Sequence, residues 1–489
     1  MNARLMTDDQ TFAPSRVLLW VSIACTLSLS LAAALPLSAQ TFTTLGRFNG
    51  TNGAGPYAVP AQGPNGQLYG ATGYGGANDQ GAVYELTPQG LTLLHTFSEL
   101  EAAQPFASFL LTSSGNFYST TFEGGPLPGP GTIFQMTPAG DVTVLYYFCA
   151  LTNCVDGANP NAALLLATDG NFYGTAVTAG ANGDWGAIFR MTPTGDVTTI
   201  YSFCSQANCT DGSFPYGPLV QGTDGNFYGT TGGGGANNRG SVFEITASAT
   251  LTTLYSFCAL ANCSDGSTPF NGLVQSVNGN FYGTTYIGGS KNNGTIFRLT
   301  PTGVLTVLHS FCSQPNCTDG ALPNDALWLA TDGNLYGTTY QGGAHNAGVI
   351  FKISPAGAFS VIHHFCSQRN CFDGSFPIAG VMQATNGSFY GTATSGGFGS
   401  GTIYQLSVGL PPFVQTVPSF GRAGTQIIIL GNSLSSVTAL SFNGSPASFS
   451  VVSDTEIAVT VPTGATTGLV KVRTAGGTLK SSTLFQVLP

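Results

Sequence analysis

The stretch Asn226-Phe227-Tyr228-Gly229-Thr230-Thr231 decides the fold, because versions of it occur seven times in the chain. Its tyrosine recurs at intervals of 49, 55, 55, 54, 54 and 54 residues. A fixed period of this size is typical of a repeat architecture, in which each repeat forms one structural unit. The seven tyrosines are Tyr69, Tyr118, Tyr173, Tyr228, Tyr282, Tyr336 and Tyr390.

The residues around the quoted stretch predict four antiparallel strands in each repeat. Asp224-Gly225 favours a tight two-residue hairpin between a strand that ends at Gln221 and the quoted strand. A loop rich in Gly and Asn, residues 232–240, leads to a third strand, and a short turn leads to a fourth that ends at Phe257. Four such strands in roughly 50 residues form one blade of a β-propeller. A parallel β-helix is the alternative fold, but its rungs are much shorter than this period.

The repeat count predicts how the two ends of the repeat region meet. Residues 42–48 match the fourth strand but precede the first complete set of strands, and the last set lacks a fourth strand. A strand that opens the sequence and completes the last sheet removes two sheet edges that would otherwise invite aggregation. We therefore expect an all-β chain with a seven-bladed β-propeller over residues 41–408, closed by residues 42–48 pairing with a strand near 401–407.

Strand direction divides the loops between two faces. Because neighbouring strands run antiparallel, the Asp-Gly hairpins and the turns between third and fourth strands share one face, here called the short-turn face. The Gly-rich loops after the second strand and the connections between blades share the other, the long-loop face. Long and varied loops on a rigid scaffold are where binding residues concentrate, so we expect a ligand there. Where Phe and Tyr are adjacent in a second strand, they point to opposite sides of the sheet and are expected to fill the space between blades; a ligand-binding ring of aromatic residues is the alternative.

Ten of the 11 cysteines form five closely spaced pairs in the predicted connections between blades. An even set of this kind in an exported chain is typical of a disulfide framework. The alternative, metal binding, needs three or four converging ligands, and no His recurs beside the pairs. The pairs are Cys149/Cys154, Cys204/Cys209, Cys258/Cys263, Cys312/Cys317 and Cys366/Cys371.

The N-terminal 39 residues are predicted to be a signal peptide. Arg4 and Arg16 precede an apolar run over residues 17–35, and Leu37-Ser38-Ala39 fits a cleavage site before Gln40. An uncleaved membrane anchor and lipidation at Cys25 are the alternatives. After cleavage no stretch is apolar enough to span a membrane, so we expect an extracellular, cell-surface or periplasmic protein.

Charge is sparse throughout the chain. Only 7% of residues are charged, the formal net charge is −9, and Lys and Arg form no cluster. This distribution argues against nucleic acid and against an anionic membrane surface as partners. The 42% of hydrophobic and 11% of aromatic residues instead favour packed β structure.

The composition changes after residues 409–412, which we interpret as a linker. Residues 413–489 contain no Cys and no copy of the repeated stretch. Alternating apolar runs, such as residues 426–431 and 456–461, are separated by Gly, Asn, Ser and Pro. This pattern predicts a small immunoglobulin-like β-sandwich.

The sequence shows no Ser/His/Asp arrangement and no metal-binding cluster, so no catalytic residue, cofactor or metal ligand is predicted. The recurring Asp after each second cysteine precedes Gly and is interpreted as a turn former. His95, His309 and His363 occupy a fourth-strand position that holds Tyr in other repeats, which favours aromatic packing. The candidate ligand contacts lie in or beside long-face loops: Asp79, Glu99, Glu101, Glu123, Asp184, Trp185, Asp325 and His345.

Two function hypotheses follow from these residues. The first is an exported, non-catalytic binding or scaffold protein whose ligand, a glycan or a protein, binds the long-loop face. The second is an extracellular carbohydrate-active hydrolase or lyase, which needs two of the loop carboxylates within ~5–10 Å of each other. Trp185 would suit stacking against a sugar in either case. A calcium site among the same carboxylates, or ordinary solvated loop residues, are further alternatives.

The repeated phrase also resembles a known family. Asn-Phe-Tyr-Gly-Thr-Thr, the following Gly-Gly, the third-strand Gly-x-Ile/Val-Phe and the Leu-Tyr-Ser-Phe strand are similar to the GloVer tandem repeat of bacterial "choice-of-anchor" exported proteins. The resemblance covers roughly residues 41–408 and implies an exported repeat protein without implying a particular activity. Members often end in an anchoring signal, whereas this chain ends in Phe485-Gln486-Val487-Leu488-Pro489, so surface anchoring is not predicted.

The C-terminal part resembles an IPT/TIG domain. The resemblance rests on Pro418-Ser419-Phe420-Gly421, Leu430-Gly431-Asn432, Phe442-Asn443-Gly444 and Val461-Pro462. It implies an immunoglobulin-like interaction or spacer module and carries no catalytic residue to this chain.

Overall fold

A computed structural model describes residues 40–126 and 129–489 of the chain. The predicted signal peptide, residues 1–39, lies outside the described residues. Within the described part no helix is long and apolar enough to cross a membrane.

The described repeats form seven antiparallel sheets, each with the predicted strand order. The first strands are short: Ala61–Gln62, Leu110–Leu111, Leu165–Leu166, Val220–Gln221, Val274–Gln275, Trp328–Leu329 and Val381–Gln383. The second strands carry the repeated stretch: Leu68–Thr72, Phe117–Thr121, Phe172–Thr178, Phe227–Thr231, Phe281–Thr285, Leu335–Thr339 and Phe389–Ala393. In the third repeat an additional strand, Ala158–Pro160, also pairs with the second strand.

The third and fourth strands complete each sheet. The third strands are Ala82–Thr87, Thr132–Met136, Ala187–Met191, Ser241–Ile245, Thr295–Leu299, Val349–Ile353 and Thr402–Ser407. The fourth strands that follow them are Gly90–Thr96, Val142–Tyr147, Val197–Ser202, Leu251–Ser256, Leu305–Ser310 and Phe359–His364. Thr402–Ser407, the third strand of the seventh sheet, pairs instead with a strand from the beginning of the described chain.

Thr41–Arg47 pairs antiparallel with Thr402–Ser407, so that Phe42 lies opposite Leu406. The register shifts between Thr44 and Gly46. In the other sheets the third and fourth strands shift register at the equivalent place, for example between Val242 and Phe243. The N-terminal segment therefore occupies the fourth-strand position of the last sheet, with the same irregularity as its counterparts.

Aromatic rings of the repeated stretch pack between neighbouring sheets, which confirms the expectation for these rings. The ring of Tyr173 stacks on Phe227 of the next repeat at a centroid distance of 4.2 Å, and Tyr228 packs on Phe281 at the same distance. Gly229 leaves room for a third-strand ring of the same cluster, because a Cβ there would lie 2.6 Å from the Phe243 ring. The repeat core thus consists of apolar layers between sheets, which buries aromatic area efficiently.

The prediction of a two-residue hairpin at Asp224-Gly225 was wrong. The first and second strands are joined by five residues, with Gly222 N–H donating to Asn226 and Gly225 N–H donating to Gly222. Only Gly225 of the two central residues has positive φ. Asp224 instead accepts hydrogen bonds from Asn226 N–H and from the hydroxyl of Tyr228 at 2.6 Å. The chain therefore forms an Asx turn here, in which Asp224 also holds the second-strand tyrosine, instead of the predicted two-residue hairpin turn.

All five predicted cysteine pairs are disulfide-bonded. Each second cysteine ends a short 3₁₀ helix in the connection between two sheets: Thr152–Cys154, Ala207–Cys209, Ala261–Cys263, Pro315–Cys317 and Arg369–Cys371. The bonds hold each connection in a compact loop beside the next first strand.

The C-terminal part is a β-sandwich. One sheet contains Gln415–Val417, Gln426–Leu430, Glu456–Thr460 and Phe449–Val451; the other contains Ser445–Pro446, Ala439–Phe442, Val470–Thr474 and Gly477–Lys480. Phe420–Arg422 pairs in parallel with Gln486–Leu488, and Leu434–Ser436 is a 3₁₀ turn. Alternate side chains such as Ile427, Ile429, Phe442 and Val472 meet in one buried core, as the sequence alternation predicts.

The sandwich contacts the short-turn side of the repeats. Asn432 Nδ2 donates to Thr385 Oγ1 at 2.8 Å, and Thr455 Oγ1 donates to the carbonyl of Pro64 at 2.7 Å. Leu111, at the end of a first strand, packs against an apolar cluster of the sandwich. The C-terminal domain therefore covers part of the face that carries the short hairpins.

Candidate functional site

A cavity of about 400 Å³ opens where the first strands begin. One residue from each of the seven repeats lines it, at intervals of 49, 55, 55, 54, 54 and 54 residues. These are the intervals of the repeated tyrosine, so the seven residues are structurally equivalent. We call them the mouth residues: Tyr57, Phe106, Asn161, Tyr216, Phe270, Asn324 and Ile378.

A proline precedes every mouth residue and fixes the path of the chain into the first strand. It packs against the glycine that precedes the third strand of the preceding repeat. A Cβ at Gly240 would lie 2.6 Å from Cδ of Pro269, and one at Gly294 would lie 2.5 Å from Cδ of Pro323. The backbone that carries the mouth residues is therefore held rigidly, whatever side chain follows the proline.

A threonine of the second strand holds the residue after the mouth position. Thr175 Oγ1 donates to the carbonyl of Gly217 at 3.1 Å, and Thr230 Oγ1 donates to that of Asn271 at 2.6 Å. Such bonds join six of the seven sheets to the next repeat at the level of the cavity, while the first sheet has Ala71 at this position. The cavity wall is thus built from constant backbone contacts, while the side chains vary from repeat to repeat.

The cavity lies on the long-loop face, which we predicted to be the binding face. The mouth residues directly follow the connections between sheets, and residues that follow second strands pack beside them. Tyr74 lies 6.0 Å from Tyr57 between ring centroids, and Tyr286 lies 5.4 Å from Phe270. Burial raises the pKa of Tyr57, and the neighbouring phenols of Tyr74 and Tyr340 add to the effect.

Two pairs of mouth aromatics from adjacent repeats contact one another. Tyr57 and Phe106 have ring centroids 4.8 Å apart, and Tyr216 and Phe270 have centroids 5.0 Å apart at a nearly perpendicular angle. Asn161 separates the two pairs along the repeat order. The cavity therefore combines aromatic surfaces with amide groups, a lining that suits a small organic ligand.

Asp325 occupies the position after the mouth residue, where four of the other repeats have Ala. Its carboxylate accepts hydrogen bonds from the N–H of Ala326, at 2.6 Å, and of Gly380 in the next repeat. Burial raises the pKa of Asp325 to about 6, because it outweighs the lowering by these two bonds. Asn271, at the equivalent position, makes a similar bridge when its amide is oriented to donate to the Asn324 carbonyl.

A second cavity of about 540 Å³ lies between the first strands and the C-terminal domain. Ser108, Pro218 and Asp325 line both cavities and so mark the level at which they approach each other. Phe413 and residues 415–420 of the C-terminal part line the far side of the second cavity. The C-terminal domain therefore covers the end that is remote from the mouth residues.

Of the eight predicted ligand contacts, all within the described chain, Asp325 lines the long-loop cavity and the other seven do not. Asp79 and Asp184 accept hydrogen bonds from N–H groups of their own loops, Gly75 and Ala179. Asp79 is the counterpart of Asn238, which accepts from Gly234 in the same way. Asp79 therefore occupies a recurrent position of these loops.

The remaining candidates are dispersed over the long-loop face. Glu123 accepts a hydrogen bond from Gln104, and Glu101 contacts His95 at 3.1 Å. Glu99 and His345 are exposed, and the partly exposed ring of Trp185 lies against Phe214. As ligand contacts these residues stay predictions, since nothing in the geometry gathers them around one point.

Sequence reasoning missed the role of the Asp that follows each disulfide. These residues lie in a turn before Gly, as predicted, but their side chains are also buried, and each accepts hydrogen bonds from the loop closed by the disulfide. Asp265, for example, accepts from Ala259 N–H at 2.9 Å, Leu260 N–H at 3.2 Å and the hydroxyl of Tyr255 at 2.7 Å. The same carboxylates are Asp156, Asp211, Asp265, Asp319 and Asp373.

Histidine replaces the fourth-strand tyrosine in this arrangement in two repeats with a disulfide. His309 Nε2 lies 3.1 Å from Asp319, and His363 Nε2 lies 3.4 Å from Asp373. Burial acts to raise the pKa of Asp373, but hydrogen bonds from His363, Ser367 and Gln368 outweigh it and lower the value to about 2. The histidines also pack on aromatic rings, His309 on Phe359 at 3.8 Å, as expected. The recurrence of Tyr or His ten residues before each Asp was the available sequence signal.

Within the described residues, no group of three or more His, Cys, Asp or Glu side chains is arranged to hold a metal ion. The chemistry that the long-loop cavity offers is therefore aromatic surface, amides, backbone carbonyls and one partly buried carboxylate.

Several solved structures are similar to this chain at low identity. A Pseudomonas aeruginosa periplasmic gluconolactonase has 16% identity and a TM-score of 0.44, covering 73% of this chain and 98% of that chain. A Bacteroides thetaiotaomicron protein of unknown function has 15% identity and a TM-score of 0.41, and the match covers 76% of each chain. A luciferin-regenerating enzyme has 13% identity and a TM-score of 0.38, and the match covers 77% of this chain and 98% of that chain. At these values the likeness says nothing about the activity of this chain.

Comparison with curated proteins finds no match. Two family models do match the sequence. The IPT/TIG domain matches residues 412–487, in agreement with the resemblance noted above. The Gloeobacter/Verrucomicrobia repeat matches residues 33–209, 151–328 and 314–427, which together cover the seven sheets. The chain therefore belongs to the Gloeobacter/Verrucomicrobia repeat family and carries a C-terminal IPT/TIG domain.

Proposed function

We propose that this chain is an exported, non-catalytic binding protein. Its seven sheets are the blades of a propeller closed by the N-terminal strand. Its ligand, an extracellular glycan or protein, enters the long-loop cavity at the centre of the ring. The observation that carries the proposal is that seven equivalent residues, one from each repeat, surround one cavity on the face remote from the C-terminal domain.

Hydrogen bonds between the last and first repeats support the closed ring. Within the repeat series, Thr338 Oγ1 donates to the carbonyl of Ala379 in the next repeat at 2.9 Å. The equivalent Thr392 of the last repeat donates to the carbonyl of Ala58 in the first repeat at 3.2 Å. The last repeat thus makes the same hydrogen bond to the first repeat that the sixth repeat makes to the seventh.

The glycine-proline contact supports the same closure. A Cβ at Gly348 would lie 2.6 Å from Cδ of Pro377 in the next repeat, and a Cβ at Gly401 would lie 2.5 Å from Cδ of Pro56. Together with the pairing of Thr41–Arg47, three independent kinds of contact link repeat seven to repeat one. A series of equivalent sheets whose last member contacts the first forms a ring.

The division between constant and varied positions supports a binding role. The proline before each mouth residue is constant, whereas the mouth residue is Tyr, Phe, Asn or Ile. Varied side chains on a rigid frame around a concavity are typical of ligand sites. The five disulfides support export, because such bonds persist in oxidising compartments.

The alternative, a hydrolase or lyase, receives less support from the geometry. A two-carboxylate mechanism needs a pair of acidic groups around the bond that is cleaved. Asp325 is the one of the six predicted carboxylates that lines the cavity, and two backbone N–H groups already hold it.

Cavity filling tests the proposal directly. Ala163 lines the cavity, and Ala163→Trp should obstruct it. Val277 is 90% exposed in a hairpin of the short-turn face, so Val277→Trp adds the same side chain away from the cavity. Both variants and the parent, residues 40–489, are screened against a glycan array and a panel of extracellular proteins and peptides.

The proposal expects a ligand in one of these panels whose binding Ala163→Trp abolishes and Val277→Trp preserves. Equal binding by both variants, or no ligand in either panel, would contradict it. A parallel assay for release of reducing ends separates binding from catalysis, since turnover by the parent would favour the enzyme alternative.

A further inference from the structure

The charge of the cavity lining restricts the ligand. None of the lining residues, all of which lie in the described chain, is Lys, Arg or His. An anionic sugar, phosphate or sulfate would therefore meet no cationic partner, and such groups are recognised in proteins mainly by Arg and Lys. The carboxylate of Asp325 would repel them as well. The cavity is suited to an uncharged ligand.

The polar groups of the lining argue against a purely apolar ligand. Asn161 and Asn324 present amides at the mouth, and Tyr57 and Tyr216 present phenol groups. An apolar ligand would leave these donors and acceptors without partners, which costs free energy for each group that is buried. A ligand with many hydroxyl groups satisfies them, because a hydroxyl both donates and accepts.

The aromatic pairs provide surfaces for the C–H groups of a sugar, in addition to the hydrogen-bonding groups for its hydroxyls. In the proposed ring, Tyr57/Phe106 belong to blades one and two and Tyr216/Phe270 to blades four and five, so the pairs lie on nearly opposite sides of the axis. The electron-rich face of an aromatic ring attracts the polarised C–H groups on one face of a pyranose. A sugar ring placed between the pairs presents C–H groups to the aromatics and hydroxyls to the amides.

The shape of the cavity sets how much of a saccharide enters. Its volume of about 400 Å³ lies near the lower end of the range for small-molecule sites. Residues of the C-terminal domain line the far side of the second cavity, so in the proposed ring a polymer does not pass from the long-loop cavity to the opposite face. The site has room for one chain end.

We propose that the long-loop cavity binds the terminal one or two residues of a neutral saccharide, held between Tyr57/Phe106 and Tyr216/Phe270 with Asn161 and Asn324 as hydrogen-bonding partners. This inference rests on the proposed function and specifies its ligand. It implies that affinity depends on the chain end and stops rising after about two sugars, within the size range of such sites.

The test measures binding of matched neutral and acidic oligosaccharides, peptides and choline by calorimetry to residues 40–489. Phe270→Leu keeps an apolar side chain but removes the aromatic face, and should weaken neutral-sugar binding by about 2- to 10-fold. Phe398→Leu is the matched control, because Phe398 is 68% exposed in a long-face loop and does not line the cavity. Asn324→Ala should weaken the same ligands.

The outcomes separate this inference from the function on which it rests. Neutral saccharides that bind in the micromolar to millimolar range and lose affinity in Phe270→Leu but not in Phe398→Leu support it. Acidic sugars, choline or peptides that bind instead, and that Ala163→Trp blocks, would overturn the saccharide inference and leave the proposed binding function standing. Absence of any ligand blocked by Ala163→Trp would overturn both.

Discussion

At the scale of single residues, Asp325 is a carboxyl group whose protonation is coupled to folding. Its pKa rises from 3.8 to about 6 in the folded chain, chiefly through burial. A folded-state pKa above the unfolded value means that the folded form binds the proton more tightly. Stability from this group is therefore present at low pH and is lost as the pH rises from about 4 through about 6.

We expect Asp325→Asn to remove this dependence. Asn271 shows that an amide fits the equivalent position of the preceding repeat. Relative to the variant, the parent should lose up to roughly 3 kcal/mol of unfolding free energy between pH 4 and pH 7.5. Urea unfolding at both pH values measures the difference, with Asp141→Asn as a control for an exposed carboxylate. A difference that stays constant with pH would contradict the assignment.

The buried Asp265 gives a second prediction at this scale. Tyr255→Phe removes a 2.7 Å hydrogen bond to a fully buried carboxylate and should cost about 2 kcal/mol of unfolding free energy. Tyr255→His should cost less, because His309 bonds Asp319 in the next repeat. Tyr147→Phe, at a ring that is 37% exposed, is the control. A cost for Tyr255→Phe equal to that of Tyr147→Phe would show that the bond does not contribute.

At the scale of elements, each disulfide holds one connection between sheets. The loop closed by Cys258 and Cys263 is short, so its removal by the double change to Ser should cost about 2 kcal/mol of unfolding free energy in the chain-entropy model. Removing Cys312 and Cys317 as well should double the cost, since well-separated sites act additively. Denaturant unfolding of the single-pair and two-pair variants measures both. An unchanged midpoint would show that the buried Asp alone holds the loop.

The sequence predicts most elements, because the signals for them are local. Alternating side chains, Gly/Asn loops and the fixed period locate the four strands of each repeat, and the cysteine spacing locates the disulfides. The turn at Asp224 was predicted wrongly, because the bond between Asp224 and Tyr228 competes with the primed hairpin. That competition depends on a side chain in the next strand, which turn propensity does not include.

The sequence predicts that the candidate site lies on the long-loop face, but it does not predict the mouth residues that line the cavity. The mouth residues differ between repeats, so a search for recurring residue types does not detect them. The constant proline before each of them was the available signal, but its meaning depends on a glycine of the preceding repeat, such as Gly240 against Pro269. Charged loop residues were predicted as ligand contacts instead, and two of them, Asp79 and Asp184, accept hydrogen bonds from N–H groups of their own loops.

At the scale of the whole molecule, the account depends on a ring with two unequal faces. The C-terminal domain covers part of the short-turn face, through Asn432 and Thr455, and the mouth residues surround the opening on the other. If the seven sheets formed an open array, the equivalent mouth residues would have no common centre. Closure at the N-terminal strand is therefore the central claim.

Amide hydrogen exchange across Thr402–Ser407 in residues 40–489 tests this claim most directly. Pairing with Thr41–Arg47 makes this segment an interior strand, so its amides should be protected as strongly as those of Ser241–Ile245, the equivalent strand of a central repeat. Exchange from every second amide of 402–407 at the rate of an exposed sheet edge, with 241–245 still protected, would contradict the closed ring and the cavity that depends on it.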